Sequence, residues 1–456
     1  MPARRPPALL SEIGPTLALA TPIAVGSLGV MLMGLVDTSM VGGLGPRAVA
    51  AVGLGTSLYG ATYVMGLGLL LGLDRVASVA LGAGRPEECR QALVQGGYLG
   101  LGMGLLLTCV LQLLADHLAA MGVAPDLVPD ASRYLRVLSW SLLPALLFGA
   151  LRQTLQAMGH AHAATVVLLS ANLVNAIGNR MFIHGLGPIP RLGVAGSAWA
   201  TLASRVFMCL ALGAYAWRRG IIGPRSGAGA RWHGPAIREL IRLGLPASVQ
   251  MLLEVGVFAT ATILIAGLGD VPAAAHQVVL VVSSFTFMVP LGIGGAGAVR
   301  VGNALGREDR AAAARAGWAA IVLGVGFMGF SALVLLFAAT PILHLFVHDE
   351  ATVALGRQLL FCAAVFQLFD GAQVTLSGAL RGFGETLEPM LANLAGHWMV
   401  GLPIGLWCCY QLHLGALGIW IGLSAGLAAV AVGLGVVWVR RVERSVGGHT
   451  AGVVTS

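Results

Sequence analysis

Twelve apolar runs, most of them long enough to cross a bilayer, follow one another with only short polar or Gly/Pro breaks between them. They cover residues 14–38, 48–78, 91–114, 132–157, 161–185, 193–217, 241–268, 273–304, 312–340, 355–380, 387–410 and 414–439. In lipid, runs of this length can satisfy their backbone only as helices. Composition agrees: 10% of the residues are charged, against about 25% in soluble domains. A soluble chain so poor in charge could not cover its own surface, which excludes a cytosolic enzyme, a disordered protein and a secreted disulfide scaffold. The expected fold is all-α and polytopic, with twelve transmembrane helices.

All 27 basic residues are arginine. Without lysine there is no Walker lysine to grip a nucleotide phosphate and no Schiff-base lysine. The net charge of +8 reads as arginine kept on the cytoplasmic side, with no nucleic-acid partner. With the N-terminus inside, the inner loops and ends hold Arg4, Arg5, Arg85, Arg90, Arg218, Arg219, Arg225, Arg231, Arg238, Arg242, Arg307, Arg310, Arg315, Arg381, Arg440, Arg441 and Arg444. Arg47, Arg133, Arg136, Arg180, Arg191 and Arg357 fall outside. Seventeen against six places both termini in the cytoplasm. The first run is longer than a signal-peptide core and reads as a retained span. The six cysteines lack metal-ligand spacing and read as small core residues.

The halves repeat each other. A shift of 224 residues carries Pro22 onto Pro246, Gly43-Leu44-Gly45 onto Gly267-Leu268-Gly269, Gly68 onto Gly292, and Arg133 onto Arg357. Six spans per half give both repeats the same orientation, related by an axis along the membrane normal. The expected organisation is a cytoplasmic N-terminus (1–13), an N-terminal lobe (14–217), a cytoplasmic linker (218–240), a C-terminal lobe (241–439) and a cytoplasmic tail (440–456). Two pseudo-symmetric six-helix lobes around a central cleft are a transporter's architecture.

Charge at membrane depth costs ~2.5–3.5 kcal/mol on insertion scales, so charged residues in spans are candidates for function. They are Asp37, Asp74, Arg75, Arg152, Arg205, Glu254, Arg300 and Asp370. Glu254 has no basic residue within a helical turn; such a carboxyl can exchange a proton or attract a cation near neutral pH. Asp370 has Gln367 and Gln373 at i−3 and i+3, a polar stripe on an apolar helix. Asp37 ends the first span, and Asn172, Asn175 and Asn179 share a face of the fifth. An aspartate with carboxamide oxygens can hold a hard cation such as Na⁺ or relay a proton, and it can equally serve as helix–helix glue. Arg75 and Arg300 lie near the inner ends of corresponding spans and are candidate gating residues. Gly422-Leu423-Ser424-Ala425-Gly426 fits a nucleophile elbow but lies inside an apolar helix, so packing explains it better. Gly96, Gly100 and Gly104 form a second packing ladder.

VDTSMVGGLG after the first span, LGAGR after the second, GLP eight residues before Glu254, AAHQ at 274–277, VGNALGR at 301–307 and GALRGFG at 378–384 together resemble the MATE family of multidrug and toxic-compound extrusion transporters. The resemblance runs from about residue 10 to 440, and Glu254 with Asp370 is most like the NorM branch. It implies efflux of small organic cations driven by inward Na⁺ or H⁺ by alternating access, without a cofactor or enzymatic activity. It assigns Glu254 and Asp370 to a cation site, with Na⁺ as one occupant, and adds Gln277 of AAHQ to the site residues. It assigns Asp37 and the asparagines of the fifth span to a site in the other lobe. The chain departs from the pattern at Phe366, where a tyrosine hydroxyl is expected. The expected setting is a bacterial inner membrane, as a monomer with lipids as neighbours. Two other readings stand beside this one. A flippase or exporter of a lipid-linked glycan or metabolite calls for a basic cleft, whereas the buried charge here is mainly acidic. An intramembrane enzyme needs a nucleophile–His pair or a metal triad in the spans, and none is apparent.

Overall fold

In the computed structural model, residues 9–186, 190–223 and 231–447 are described, and they form helices joined by short turns. Arg4, Arg5, Arg225 and most of the expected C-terminal tail lie outside the described residues. Eleven of the described helical runs are long and apolar enough to cross a membrane. A twelfth, over 387–411, joins α14 (Leu387–Asn393) and α15 (Leu402–Leu406) through π-helical turns at Leu394–Gly401 and Trp407–Gln411. Pro403 has no N–H to give, and the turn before it takes the wider spacing.

By packing, the chain divides into two units: residues 25–248, and residues up to Ala24 together with those from Val249 on. Both boundaries fall inside helices, α1 (Leu10–Gly42) and α9 (Gly234–Ala266), two residues beyond Pro22 and Pro246. The lobes expected at 14–217 and 241–439 were drawn at the linker instead. The linker is shorter than expected, because 234–240 already belong to α9. The reason is amphipathic spacing. Ile237, Leu240 and Leu243 recur every three residues and are buried, while Arg238, Glu239 and Arg242 are exposed. At the far end, α16 (Ala416–Gly447) continues past residue 439.

The N-terminal unit contains α2 (Pro46–Leu70), α3 (Gly72–Gly82), α4 (Pro86–Asp116), α5 (Val128–Ser139), α6 (Leu142–Ala157), α7 (Ala161–His184) and α8 (Val194–Arg218). Leu70, Leu73, Leu111, Leu135, Leu142 and Leu146 fill its main core. The glycine ladder of α4 faces Leu73, Leu146 and Leu143, where each side chain would have met a neighbour. The C-terminal unit contains α10 (Asp270–Gly306), α11 (Arg310–Phe337), α12 (Ala339–His344), α13 (Glu350–Phe383), the 387–411 run and α16. Its cores gather around Trp420, Leu359 and Leu427, and around Trp438, Leu380 and Val430. Gly422 and Gly426 of α16 lie against Gly405, Gly401 and Gly396, and Ser424 bonds its own helix at Trp420 O, 2.9 Å away. The G-x-S-x-G match is thus a backbone contact between helices.

The repeat survives as geometry. A Cβ on Gly68 would lie 2.5 Å from Ser248 Cα, and one on Gly292 would lie 2.7 Å from Ala24 N. Adding 224 to 68 gives 292, and adding it to 24 gives 248. The same close approach therefore occurs in each unit, with the partners' order along the chain exchanged.

Candidate functional site

In the C-terminal unit, α9 and α13 meet side chain to side chain in an antiparallel register. Gln250 Nε2 donates to Ser377 Oγ at 3.3 Å, and one turn on Gln373 Nε2 donates to Glu254 Oε1. One turn further along α9 and two along α13, Phe258 and Phe366 meet edge to face at 5.9 Å. Asp370 sits one turn before Gln373, buried, and close enough to Glu254 for the two charges to repel. Gln367, one turn earlier, donates Nε2 to Thr286 Oγ1 of α10 at 2.7 Å. Both glutamines are thus held by their nitrogens. Each leaves Oε1 buried and without a hydrogen-bond partner among the described residues.

No ion pair offsets either acid among the described residues. Three of the unit's arginines are engaged elsewhere: Arg300 and Arg315 with Glu12, and Arg441 with Glu385. Two carboxylates and two amide oxygens form a set of hard oxygen donors with net negative charge. Such a set suits Na⁺ or a proton and suits no anion. Asp370 and Gln373 are therefore brought beside the lone Glu254, and Gln367 continues the stripe along α13 to Thr286.

Gln277 is not part of it. The side chain is exposed, and its neighbour His276 is the buried one. Successive helical residues point about 100° apart, so one residue of AAHQ faces in and the next faces away. His276 Nδ1 accepts from Trp420 Nε1 at 3.2 Å, and its Nε2 lies 2.9 Å from Thr262 Oγ1. The Thr262 hydroxyl already donates to Phe258 O, so the ring nitrogen is the donor and the imidazole is neutral. Phe366, the departure from the expected tyrosine, is buried with its ring against Phe258 and Trp420.

The N-terminal unit has its own polar cavity, of about 110 Å³. Asp37 lines it, with Thr201 and Arg205 from α8, Thr56 and Tyr59 from α2, and Tyr134 from α5. Asp37 Oδ1 accepts from Asn179 Nδ2 at 2.5 Å, and Oδ2 from Thr201 Oγ1 at 3.2 Å. Asn179 Nδ2 is also 3.1 Å from Asn175 Oδ1. Asn172 stands apart, half-buried, and bonds back to Leu168 O. Of the sequence candidates here, Asp37, Asn175 and Asn179 come together and Asn172 does not. Thr201, Tyr59 and Tyr134 were missed, since hydroxyls in apolar helices leave no mark in a single sequence. Arg205 was visible as a charge at membrane depth, one turn after Thr201.

The two gating candidates differ in setting. Arg300 pairs with Glu12 of α1, and Arg315 Nε lies 4.0 Å from the same carboxylate. Glu12 escaped the sequence reading because the helix was expected to begin after it. Arg75 is half-buried on α3 beside the buried Asp74.

Known proteins match this chain over nearly its whole length. The MatE family model covers residues 22–181 and 246–407. A probable multidrug resistance protein NorM from Mesorhizobium japonicum is 36% identical, over 94% of each chain. A multidrug resistance protein NorM from Burkholderia vietnamiensis is 37% identical, again over 94% of each. Among solved structures, a MOP superfamily transporter from Pyrococcus furiosus superposes with a TM-score of 0.86 at 22% identity, covering 95% of this chain and 96% of that one. That last likeness concerns the fold alone.

Proposed function

The chain belongs to the MatE family, and from that premise we propose that this integral membrane protein is a secondary antiporter exporting amphipathic organic cations in exchange for inward Na⁺ or H⁺. The NorM relatives named for multidrug resistance support the substrate class. The observation that carries the coupling is the acid pair Glu254 and Asp370, which has no basic partner among the described residues and lies beside two buried amide oxygens without partners.

The chemistry follows from electrostatics. Two like charges in a poorly hydrated site repel, and one bound cation or one proton relieves the repulsion. Glu254, held by Gln373, and Asp370 would hold the cation with Gln367 Oε1 and Gln373 Oε1 completing the oxygen shell. An organic cation competes for the same negative charge. Binding the coupling cation from outside therefore expels the drug there, and alternating access carries the site back to face inward. Each elementary charge moving inward gains ~2.3 kcal/mol per 100 mV. The arginine bias supports both termini lying on the cytoplasmic side, and the proposed setting is a bacterial inner membrane.

The test uses Glu254→Gln and Asp370→Asn in proteoliposomes loaded with ethidium, with Na⁺ and pH gradients imposed separately. Each change keeps the side chain's shape and removes its charge. Folding should survive, because an amide costs less than a carboxylate at membrane depth. Gradient-driven efflux should be lost while ethidium binding weakens without vanishing. An amide variant that pumps at the unmodified rate would make that residue structural.

A further inference from the structure

The N-terminal unit also holds an apolar groove between α4, α6 and α8, of about 470 Å³, a volume typical of small-molecule pockets. Val94 and Gly97 of α4, Leu147 and Leu151 of α6, and Gly213 and Trp217 of α8 line it, and no charged side chain is among the lining residues. Two glycines make the room. A Cβ on Gly97 would meet nothing within 4 Å, and one on Gly213 would reach only Leu151 Cδ1, at 4.0 Å. Each glycine costs its helix stability relative to alanine, and open space is what the two positions have in common. Along α8 the lining runs from Cys209 to Trp217, roughly 12 Å at ~1.5 Å per residue, which fits within the ~15 Å hydrocarbon depth of one leaflet.

Specific contacts shape the end of the groove where α4 begins and α8 stops, the end that the arginine bias assigns to the cytoplasmic side. After α8 the chain turns back: Gly220 and Gly223 take φ values of 68° and 93°, Ile221 N donates to Ala216 O at 2.9 Å, and Ile222 joins the groove wall. Gly223 packs on the Trp217 indole, where a Cβ would lie 2.7 Å from Cδ1. On the α4 side, the buried Gln95 spends both ends of its amide on the segment before α9. Its Nε2 donates to Arg231 O at 2.8 Å, and its Oε1 accepts from His233 N at 3.0 Å. Between them, Trp232 meets the Tyr98 ring at 5.8 Å. Trp217 and Trp232 stay exposed, at 61% and 66%, as tryptophans at a membrane interface do.

Cations gather at the same end. Arg218, Arg219 and Arg231 are exposed and have no ion pair among the described residues. Glu87 and Glu88, in the first turn of α4, are paired with Arg90 and Arg85 at 2.9 and 2.7 Å. Five arginines against two glutamates leave a local charge of +3. An apolar groove of one-leaflet depth, two interfacial tryptophans and an excess of arginine match the acyl chain, the interface and the phosphate of a phospholipid in turn. An exported organic cation would be repelled by the same arginines.

We propose that this groove binds one anionic phospholipid of the inner leaflet, with an acyl chain against Gly97 and Gly213 and the phosphate among Arg218, Arg219 and Arg231. The site depends on the orientation set by the arginine bias and is independent of which cation drives transport.

Purified full-length protein in dodecyl maltoside micelles is mixed with phosphatidylglycerol carrying a photoactivatable diazirine in one acyl chain, and the cross-linked peptides are mapped. Cross-links should concentrate in residues 93–97 and 209–222. An arginine near an anionic headgroup contributes about fivefold, and three contribute on the order of a hundredfold. Unlabelled phosphatidylglycerol should therefore compete far better than phosphatidylcholine, and R218Q/R219Q/R231Q should erase that preference. G97L/G213L fills the groove and leaves the arginines in place; its labelling there should fall at least tenfold while it elutes as a monodisperse protein. Should that variant aggregate, the arginine variant and the competition decide the matter. Cross-links spread evenly over the lipid-facing helices, equal competition by the two lipids, or undiminished labelling of folded G97L/G213L would overturn the proposal. Displacement of the probe by ethidium would overturn it as well, by making the groove a subsite for the drug.

Discussion

Gly378→Ala should weaken the seam between α10 and α13 and, through it, the acid cluster. A Cβ on Gly378 would lie 2.8 Å from Gly294 Cα, and one on Gly294 would lie 2.8 Å from Val374 O. The two backbones touch, so an added methyl has no side chain to push aside. Relief requires the helices to part by roughly half to one ångström, which forfeits a quarter to a half of each van der Waals contact along the seam. With on the order of thirty atom pairs at ~0.15 kcal/mol each, the loss is roughly 1–2 kcal/mol, at the lower end of the usual cost of overpacking. Lipid supplies no hydrophobic force to close the gap again. The same parting stretches the 2.7 Å bond from Gln367 to Thr286 toward the ~3.5 Å limit at which it ceases to count. Unfolding in mixed micelles, followed by the fluorescence of the buried Trp420 and Trp438, measures the first effect. The cation concentration for half-maximal efflux measures the second, and it should rise. Gly326 of α11 has open space around its Cα, so Gly326→Ala is the control and should be neutral or slightly stabilising. Equal midpoints for the two variants would refute the close-contact reasoning.

Asp349 caps α13 by accepting from Thr352 Oγ1 at 2.7 Å and Thr352 N at 2.9 Å, and these bonds, the hydroxyl's first, lower the pKa of its carboxyl. A depressed folded-state value means the cap stabilises at neutral pH and is lost as pH falls through that value. Asp349→Ala should therefore lower the melting temperature at neutral pH and make no difference in strong acid; a gap independent of pH would rule out the ionised cap. For topology, cysteines placed singly at Ser226 and Ser445 should react with an impermeant maleimide only from the cytoplasmic side. Labelling of either from outside would reverse the orientation.

The helical pattern was legible because apolar runs in lipid leave the backbone no alternative. The halves were legible because Pro22, Gly68 and their counterparts Pro246 and Gly292 do the same work at the same offset. Glu254, Asp370 and the two flanking glutamines could be picked out because polarity is conspicuous in an apolar helix. What the pattern hid has physical causes. Gln277 followed a motif, but helical rotation decides which of two neighbours faces inward, and that was His276. The ends of α1 and α9 were drawn short, since Glu12, Arg238 and Glu239 look like loop until their pairing or amphipathic spacing is seen. The N-terminal cavity depends on residues from α1, α2, α5 and α8, and one sequence does not say which of its helices are neighbours.

The division of the chain at 24 and 248, both inside helices, bears on what a half-length polypeptide could be. A cut in the 224–230 segment would yield two fragments, and neither would be a complete unit. The first would carry the opening turns of α1, whose Glu12 and Ala24 seat against Arg300 and Gly292 of the second. The second would carry the opening turns of α9, where Gly244 and Ser248 seat against Leu69 and Gly68 of the first. Each fragment would thus hold a missing piece of the other, as subunits do in a segment-swapped dimer. The peptide connection at the middle is then a matter of stoichiometry: it guarantees one copy of each half, while the exchanged helix ends make the halves depend on one another.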